Sequence, residues 1–284
     1  MVHPDLDSLL AGDSDALSRG PVAVILAEDA VELDSTIEHH LGAGFRSLVV
    51  LTGEGVTLPA DLPDSVRAAR FDPHAEDALT ANMNRLIAAA PPGTWMYYCY
   101  NGEYLFFPFC EHRTVGEMLS FHAEERRDAM LTFVVDLYAD DLGAHPNAVS
   151  RARAHIDRTG YFALAREGAK ERQLDFYGGL RWRFEEHVPK ARRRIDRISL
   201  FRTRRGLHLR PDHTFDDEEY NTYACPWHHN LTAAVCSFRA AKALKLNPGS
   251  TFDIPSFWWT NSVRFDWSSR QLMDLGLMEP GQWF

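Results

Sequence analysis

The sequence has little cysteine. Four occur in 284 residues, at Cys99, Cys110, Cys225 and Cys236, and no two stand in C-x-x-C spacing. A disulfide framework is excluded as the basis of the fold, and the pattern predicts free thiols in a cytoplasmic protein. Long apolar runs are also missing. No stretch of about 18 apolar residues occurs, so no transmembrane segment is expected. The first twenty residues are acidic and lack the apolar centre of a secretory signal. Positive charge is short too: 30 Lys and Arg stand against 40 Asp and Glu, a formal net charge of −10. So acidic a chain does not attract nucleic acid through its overall field, and a phosphate-bearing ligand needs a local group of cations. Internal repeats and low-complexity blocks are absent.

What is present is a folding composition, 45% hydrophobic and 25% charged. A chain of this length buries a large core without staples. In its first half, apolar runs alternate with helical spacing. Residues 21–26 (PVAVIL) form a short continuous run, expected as a buried strand of a parallel sheet. Ala30, Leu33, Ile37 and Leu41 follow at helical spacing, and Gly42 and Gly44 end that helix. Residues 47–51 (SLVVL) form a second buried strand, completing a βαβ unit. A helix over 78–90 stops at Pro91-Pro92-Gly93, and 95–99 (WMYYC) predicts a central strand. A helix from about Val115 to Arg127 leads to another strand over 131–138 (LTFVVDLY). The alternation predicts an α/β fold with a mainly parallel central sheet.

The second half is less regular. Residues 176–184 (FYGGLRWRF) place a Gly-Gly turn beside aromatics. Arg181 and Arg183 alternate there with Trp182 and Phe184, which on a strand puts both arginines on one face. Basic residues crowd between Arg181 and Arg205, either as a solvated surface paired to acids such as Glu185 and Glu186 or as a phosphate-binding patch. Residues 198–201 suggest a strand, and 231–238 fit a strand or a helix. Phe257, Trp258, Trp259, Phe265, Trp267 and Trp283 make the C-terminal stretch too apolar for a free tail. The expected division is an N-terminal arm over 1–20 (a loose helix or arm), a main domain over 21–250, and an aromatic extension over 251–284 packed back on it.

Three groups of residues carry a resemblance. Glu38-His39-His40-Leu41-Gly42-Ala43-Gly44-Phe45 has an acidic-x-H-x-x-x-G pattern leading into the second strand. Residues 95–108 (WMYYCYNGEYLFFP) fit W-x-x-x-x-D-x-D-E-F-L-x-x-P at Trp95, Glu103, Leu105 and Pro108, with Tyr104 where Phe is usual. Asp136-Leu137-Tyr138 and Phe238-Arg239 are similar to a D-M-Y and an H-F-K segment. Together these span about residues 22–239. In order and spacing they resemble the family 2 glycosyltransferases, in the bacterial subgroup with a D-x-D-E-F-L motif.

The resemblance implies a Rossmann-like, GT-A-like nucleotide-sugar transferase fold. It implies transfer of a sugar from a UDP- or GDP-linked donor to a glycan or other hydroxyl acceptor. The departures bear on catalysis. The metal-binding aspartates of the motif fall at Tyr100 and Gly102, neither of which offers the carboxylate oxygens that Mg²⁺ or Mn²⁺ prefer. The usual K-N-E reads Ala27-Glu28-Asp29, the D-N reads Thr52-Gly53, and Ser237 stands where the subgroup has His. No divalent metal is expected at the Tyr100–Glu103 turn.

Transfer needs a nucleoside held at the carboxyl ends of parallel strands, a neutralised diphosphate and a base for the acceptor hydroxyl. Glu28 and Asp29 are placed to accept from the base or ribose, or to favour a helix N-terminus. Glu103 and Asp136 are the candidate catalytic carboxylates, or structural acids satisfied by backbone N–H groups. His213 or His228 is a candidate near the acceptor, or else a plain packed or surface histidine. Without metal the diphosphate falls to Arg181, Arg183, Arg202 and Lys190, whose charges are fixed or strong, with Tyr100 and Tyr104 as hydroxyl donors or Tyr100 as a core residue capping an emptied site. Cys225, His228 and His229, near Asp212-His213, form the one combination that invites a zinc test. A non-catalytic relative that keeps the scaffold for binding a glycan, nucleotide or partner protein is the alternative function.

Overall fold

The computed structural model describes residues 2–166, 173–221 and 230–283. The chain opens with β1 (Val2–His3) and α1 (Leu6–Gly12), the helix capped by the Asp5 side chain accepting from Ser8 N–H. Leu6, Leu9 and Leu17 are buried, so the opening arm is docked on the body rather than loose. β2 (Val22–Ala27), α2 (Leu33–Gly42) and β3 (Ser47–Thr52) then build the expected βαβ unit. Every residue of both strands is buried, which is why they lack the alternation of a half-exposed strand. β4 (Val66–Arg70), α3 (Ala78–Ala89) and β5 (Trp95–Tyr100) follow, and a turn leads to β6 (Glu103–Phe106). α4 (Val115–Glu124) starts from a capping box formed by Thr114 and Glu117.

The long strand β7 (Ala129–Asp136) ends before Tyr138, which belongs to β8 (Tyr138–Ala139). Then come β9 (Ala154–Asp157), β10 (Phe162–Ala165), β11 (Leu174–Tyr177), α5 (Gly179–Arg183), β12 (Asp196–Arg202), β13 (Ala233–Ser237), α6 (Arg239–Leu246), β14 (Ser262–Arg264) and α7 (Ser269–Asp274). The apolar run over 231–238 is therefore a strand. The segment carrying Arg181 and Arg183 is a short helix, so the two arginines do not share a strand face. Its start is set by Gly179 at φ +61°, where an added Cβ would lie 2.7 Å from Asp136 Oδ2.

Nine of the described strands form one sheet in the order β1-β4-β3-β2-β5-β12-β7-β13-β6. The pairs β1–β4, β4–β3, β3–β2, β2–β5 and β7–β13 are parallel, while β12 and β6 run against their neighbours. The protein is thus α/β with a large, mostly parallel sheet. Helices cover both faces: Leu33, Ile37, Met118 and Leu119 pack on one, Leu9, Met83, Leu86 and Ile87 on the other. A three-stranded sheet, β14-β9-β8, and the ribbon β10-β11 flank it. Phe257, Phe265 and Trp283 are buried, whereas Trp258 and Phe252 are exposed.

The topology positions the site. From β2 the chain winds outward to β3 and β4, then returns to place β5 on the other side of β2. The β2–β5 junction is the switch point at which open α/β sheets leave a crevice beyond their carboxyl ends. β2, β5, β7 and β13 all end at this edge, and the antiparallel β12 begins there.

Candidate functional site

Glu28, Asp29, Glu103 and Asp136 stand at the carboxyl edge, and each faces its own cation. Glu28, just past β2, takes Arg239 Nε at 2.9 Å on one oxygen and Nη2 at 2.6 Å on the other. Asp29 receives Lys242 Nζ at 2.7 Å, Asn101 Nδ2 at 2.7 Å and the Val31 amide at 2.9 Å. Burial acts to raise the Asp29 carboxyl, but Lys242 and these donors outweigh it and hold the carboxyl below its ordinary value. Both cations come from α6, so the end of β13 fastens the loop after β2.

Glu103 is fully buried at the start of β6, across the Asn101-Gly102 turn from β5. Its oxygens accept from Arg197 Nη1 at 2.7 Å, Arg197 Nη2 at 3.2 Å, Ser237 Oγ at 3.0 Å and the Tyr100 amide at 2.9 Å. Burial alone raises a carboxyl; here Arg197 and the other donors overcome it and bring Glu103 down to about 2. Arg197 is pushed up by the same partner. The carboxylate that aligns with the family's acidic motif is thus committed to a buried arginine.

Asp136, at the end of β7, contrasts with it. Oδ2 accepts from the Leu180 amide at 3.0 Å, but Oδ1 has no hydrogen-bond partner, and Arg181 Nε stands 3.7 Å from it. Burial raises this carboxyl to about 6, with Arg181 opposing and Asp157 assisting. A buried carboxylate oxygen without a donor is costly, and is a place where a ligand hydroxyl can be accommodated.

Tyr100 closes β5 and is nearly buried. The Arg239 guanidinium lies over its ring, 3.7 Å from the centroid, and Arg197 stands 5.8 Å from it. His213 bonds Tyr98 Oη through Nδ1 at 2.9 Å and stacks on that ring at 12°. Its own enclosure lowers its pKa well below the ordinary value, and the charges of Arg197, Arg239, Arg181 and Arg194 add to this, so the ring is neutral at pH 7. Arg181, Arg197, Arg239 and His213 therefore share one electrostatic neighbourhood.

Other predicted residues lie elsewhere. Arg183 bonds both oxygens of Asp157 and the Phe257 carbonyl, fixing the C-terminal stretch instead of reaching the edge. Arg202 pairs across β12 with Trp95 at the start of β5, at the opposite edge of the sheet, beside Asp128. It cannot join the carboxyl-edge group because a seven-residue strand separates it from Asp196. Arg193 pairs with Glu185, as a solvated surface cation does. Tyr104 Oη meets Ser35 Oγ at 2.8 Å and Glu32 at 3.2 Å, on the α2 side of β6. Cys225, His228 and His229 lie outside the described residues. Among those described, no three His, Cys, Asp or Glu side chains form a group able to hold a metal ion. No described helix is long and apolar enough to cross a membrane.

The structure adds Arg197, Arg239, Lys242 and Asn101 to the site. Asn101 Oδ1 accepts from the Glu28 amide while Nδ2 donates to Asp29 and the Val31 carbonyl, locking the two loops of the switch point together. The available signal for Arg239 was its place directly after an apolar run, where a strand's carboxyl end is expected. A cavity of about 250 Å³ lies at the other edge, lined by Phe121, His122, Arg127 and Asn230 among others, and holds none of these residues. No family model matches the chain, and no curated protein matches it.

Proposed function

We propose that the protein binds a UDP- or GDP-linked sugar at the carboxyl edge of the sheet and transfers the sugar to a hydroxyl acceptor without a divalent metal. The observation that carries this reading is the convergence of Arg239 and Arg197 on Tyr100 at the end of β5, 3.7 and 5.8 Å from its ring centroid, with Arg197 bonded to Glu103 in the turn where the resembled family keeps its metal-binding aspartates and Arg181 beside Asp136 at the end of β7. The strand order, which reverses direction between β2 and β5, supports a GT-A-like assignment. A nucleoside fits against Glu28, Asp29 and Tyr100, and the diphosphate against Arg239, the guanidinium of the group that keeps the most exposure. Fixed guanidinium charge stabilises a departing diphosphate as a metal would.

In the transfer, the acceptor hydroxyl gives its proton to Asp136 Oδ1. Its oxygen forms the new bond to the anomeric carbon, and the bond from that carbon to the diphosphate oxygen breaks, its electron pair leaving with the diphosphate. A carboxyl near 6 is matched to this role at neutral pH. Gly179, Leu180 and Arg181 lie against Asp136, so on this account that short segment shifts as the acceptor enters.

A second reading, a non-catalytic nucleotide- or glycan-binding relative, is favoured by one observation: each acid at the edge already has its cation, and Asp136 is only 1% exposed. Incubation with UDP- and GDP-hexoses in excess EDTA separates the two. Release of UDP or GDP by the native protein, lost in Asp136→Asn, is expected for the transferase. Binding of nucleotide with no release from any donor, with or without Mn²⁺, leaves the binding relative.

A further inference from the structure

The β10–β11 ribbon departs from the usual pattern of a surface hairpin, in which the outward face is polar. Its register sets Phe162 opposite Tyr177 and Leu164 opposite Asp175 on one face, with Ala163 opposite Phe176 and Ala165 opposite Leu174 on the other. The second face is anchored through β11, where Phe176 packs edge-on against Phe133 of β7, ring centroids 4.7 Å apart, while all four residues of β10 are exposed. The first face looks outward, yet Phe162 is 40% exposed and Leu164 54% exposed. Trp182 of α5 joins them, 41% exposed. The Phe162 and Tyr177 rings lie 5.4 Å apart and nearly parallel, while Trp182 stands at 78° to Phe162, 6.3 Å away. The result is a corner of flat aromatic surfaces.

Close packing sets the positions of the rings while Asp136 is covered. A Cβ on Gly160 would come within 3.0 Å of the Trp182 ring, and one on Gly178 within 2.3 Å of Tyr161, so both glycines permit close ring-to-backbone packing that fixes the aromatics. Polar groups border it: Arg166 Nε bonds Asp175 at 2.8 Å, and Arg194 Nε lies 3.1 Å from the same carboxylate. The corner also adjoins the site. β11 passes through Gly178 and Gly179 to Leu180, whose amide bonds Asp136, and Trp182 follows two residues later.

We propose that this corner docks the sugar rings of an oligosaccharide acceptor. Phe162 and Trp182 cover the apolar ring faces, and Asp175 with Arg166 takes ring hydroxyls. An oligosaccharide fits because it offers flat C–H faces edged with hydroxyls, matching flat rings edged with a carboxylate and guanidinium groups. A second copy of the chain fits less well, since stable interfaces remove about 800 Å² from each partner, and three rings with one leucine form a much smaller patch. The link to sugar transfer rests on the function proposed above; the platform itself does not.

The test is a titration of protein labelled with ¹⁵N in its indoles, using maltohexaose, cellohexaose, laminarihexaose and chitohexaose at millimolar concentration. The reporter is the Trp182 Nε1–H resonance, assigned by its loss in Trp182→Phe. At least one saccharide should shift it saturably, Phe162→Ala should weaken that saccharide about tenfold, and UDP and GDP affinity should stay unchanged in that variant. The platform is overturned if no saccharide moves the resonance, if Phe162→Ala binds as well as the native protein, or if sedimentation shows self-association that covers Trp182. Saccharide binding in a protein that binds neither UDP nor GDP would retain the platform and remove the transferase function.

Discussion

Glu103 and Asp136 are both buried acids at the carboxyl edge of one sheet, yet they are displaced in opposite directions, Glu103 to about 2 and Asp136 to about 6. Burial is common to both, so it does not decide the outcome. The difference is compensation. Glu103 accepts four hydrogen bonds, two of them from Arg197 with the nearer nitrogen at 2.7 Å, and both members of that pair are pushed toward their charged forms. Asp136 accepts from the Leu180 amide and has the Arg181 guanidinium 3.7 Å away, and both members of its pair are pushed toward neutrality. A saturated pair holds strands together, whereas an unsaturated one retains the capacity to accept a proton. The first region is saturated with donors, whereas the second keeps a buried carboxylate oxygen without one.

The largest expected effect comes from breaking the saturated pair. Arg197→Met strands Glu103 in the core and should cost about 3–5 kcal/mol in chemical denaturation. Adding Glu103→Gln should recover part of that loss. The pH dependence has a definite sign. Because the Glu103 carboxyl is depressed from 4.5 to about 2, its contribution is complete above 4.5 and is lost as pH falls toward 2. Glu103→Gln should lack that acid limb.

Asp136 should behave in the opposite way. Its carboxyl is raised from 3.8 to about 6, so the folded state retains a proton that the unfolded chain releases. Stability from this group is therefore present below 3.8 and falls as pH rises to about 6. Across that interval, the stability of Asp136→Asn relative to the native protein should improve by about 1–3 kcal/mol. A ¹³C titration of the native side chain should show its midpoint near 6. Arg202→Ala marks the small end of the series. Its pairing with Asp128 is exposed at the far edge, so stability should change by about 0–1 kcal/mol and nucleotide binding not at all.

Legibility in the sequence followed the range of the forces involved. β2, β3 and β5 are continuous apolar runs because both faces of each are covered, and local pattern is sufficient to place them. The position of Glu103 at a strand end followed from the apolar run and the Asn101-Gly102 turn before it. Its partner did not, because Arg197 lies 94 residues away and reaches it only once the antiparallel β12 is inserted between β5 and β7. The same holds for Glu28 and Arg239, 211 residues apart. Arg183 and Arg202 looked equivalent to Arg181 within one basic stretch. A short helix and a strand separate them, sending Arg183 to Asp157 and Arg202 to the opposite edge. Ser237 bonds the buried Glu103, a role that its place in an H-F-K-like segment did not reveal.

The proposed function requires that arginine, not metal, hold a diphosphate at the carboxyl edge. Calorimetric titration of UDP and GDP in excess EDTA, on the native protein and on Arg239→Ala, tests it most directly. Arg239 is suited to this because it keeps about a third of its side chain exposed while stacked on Tyr100. The account predicts binding of at least one diphosphate in EDTA and a loss of about tenfold or more in the variant. Binding that appears only when Mn²⁺ is added, or that is as tight in Arg239→Ala as in the native protein, would contradict it.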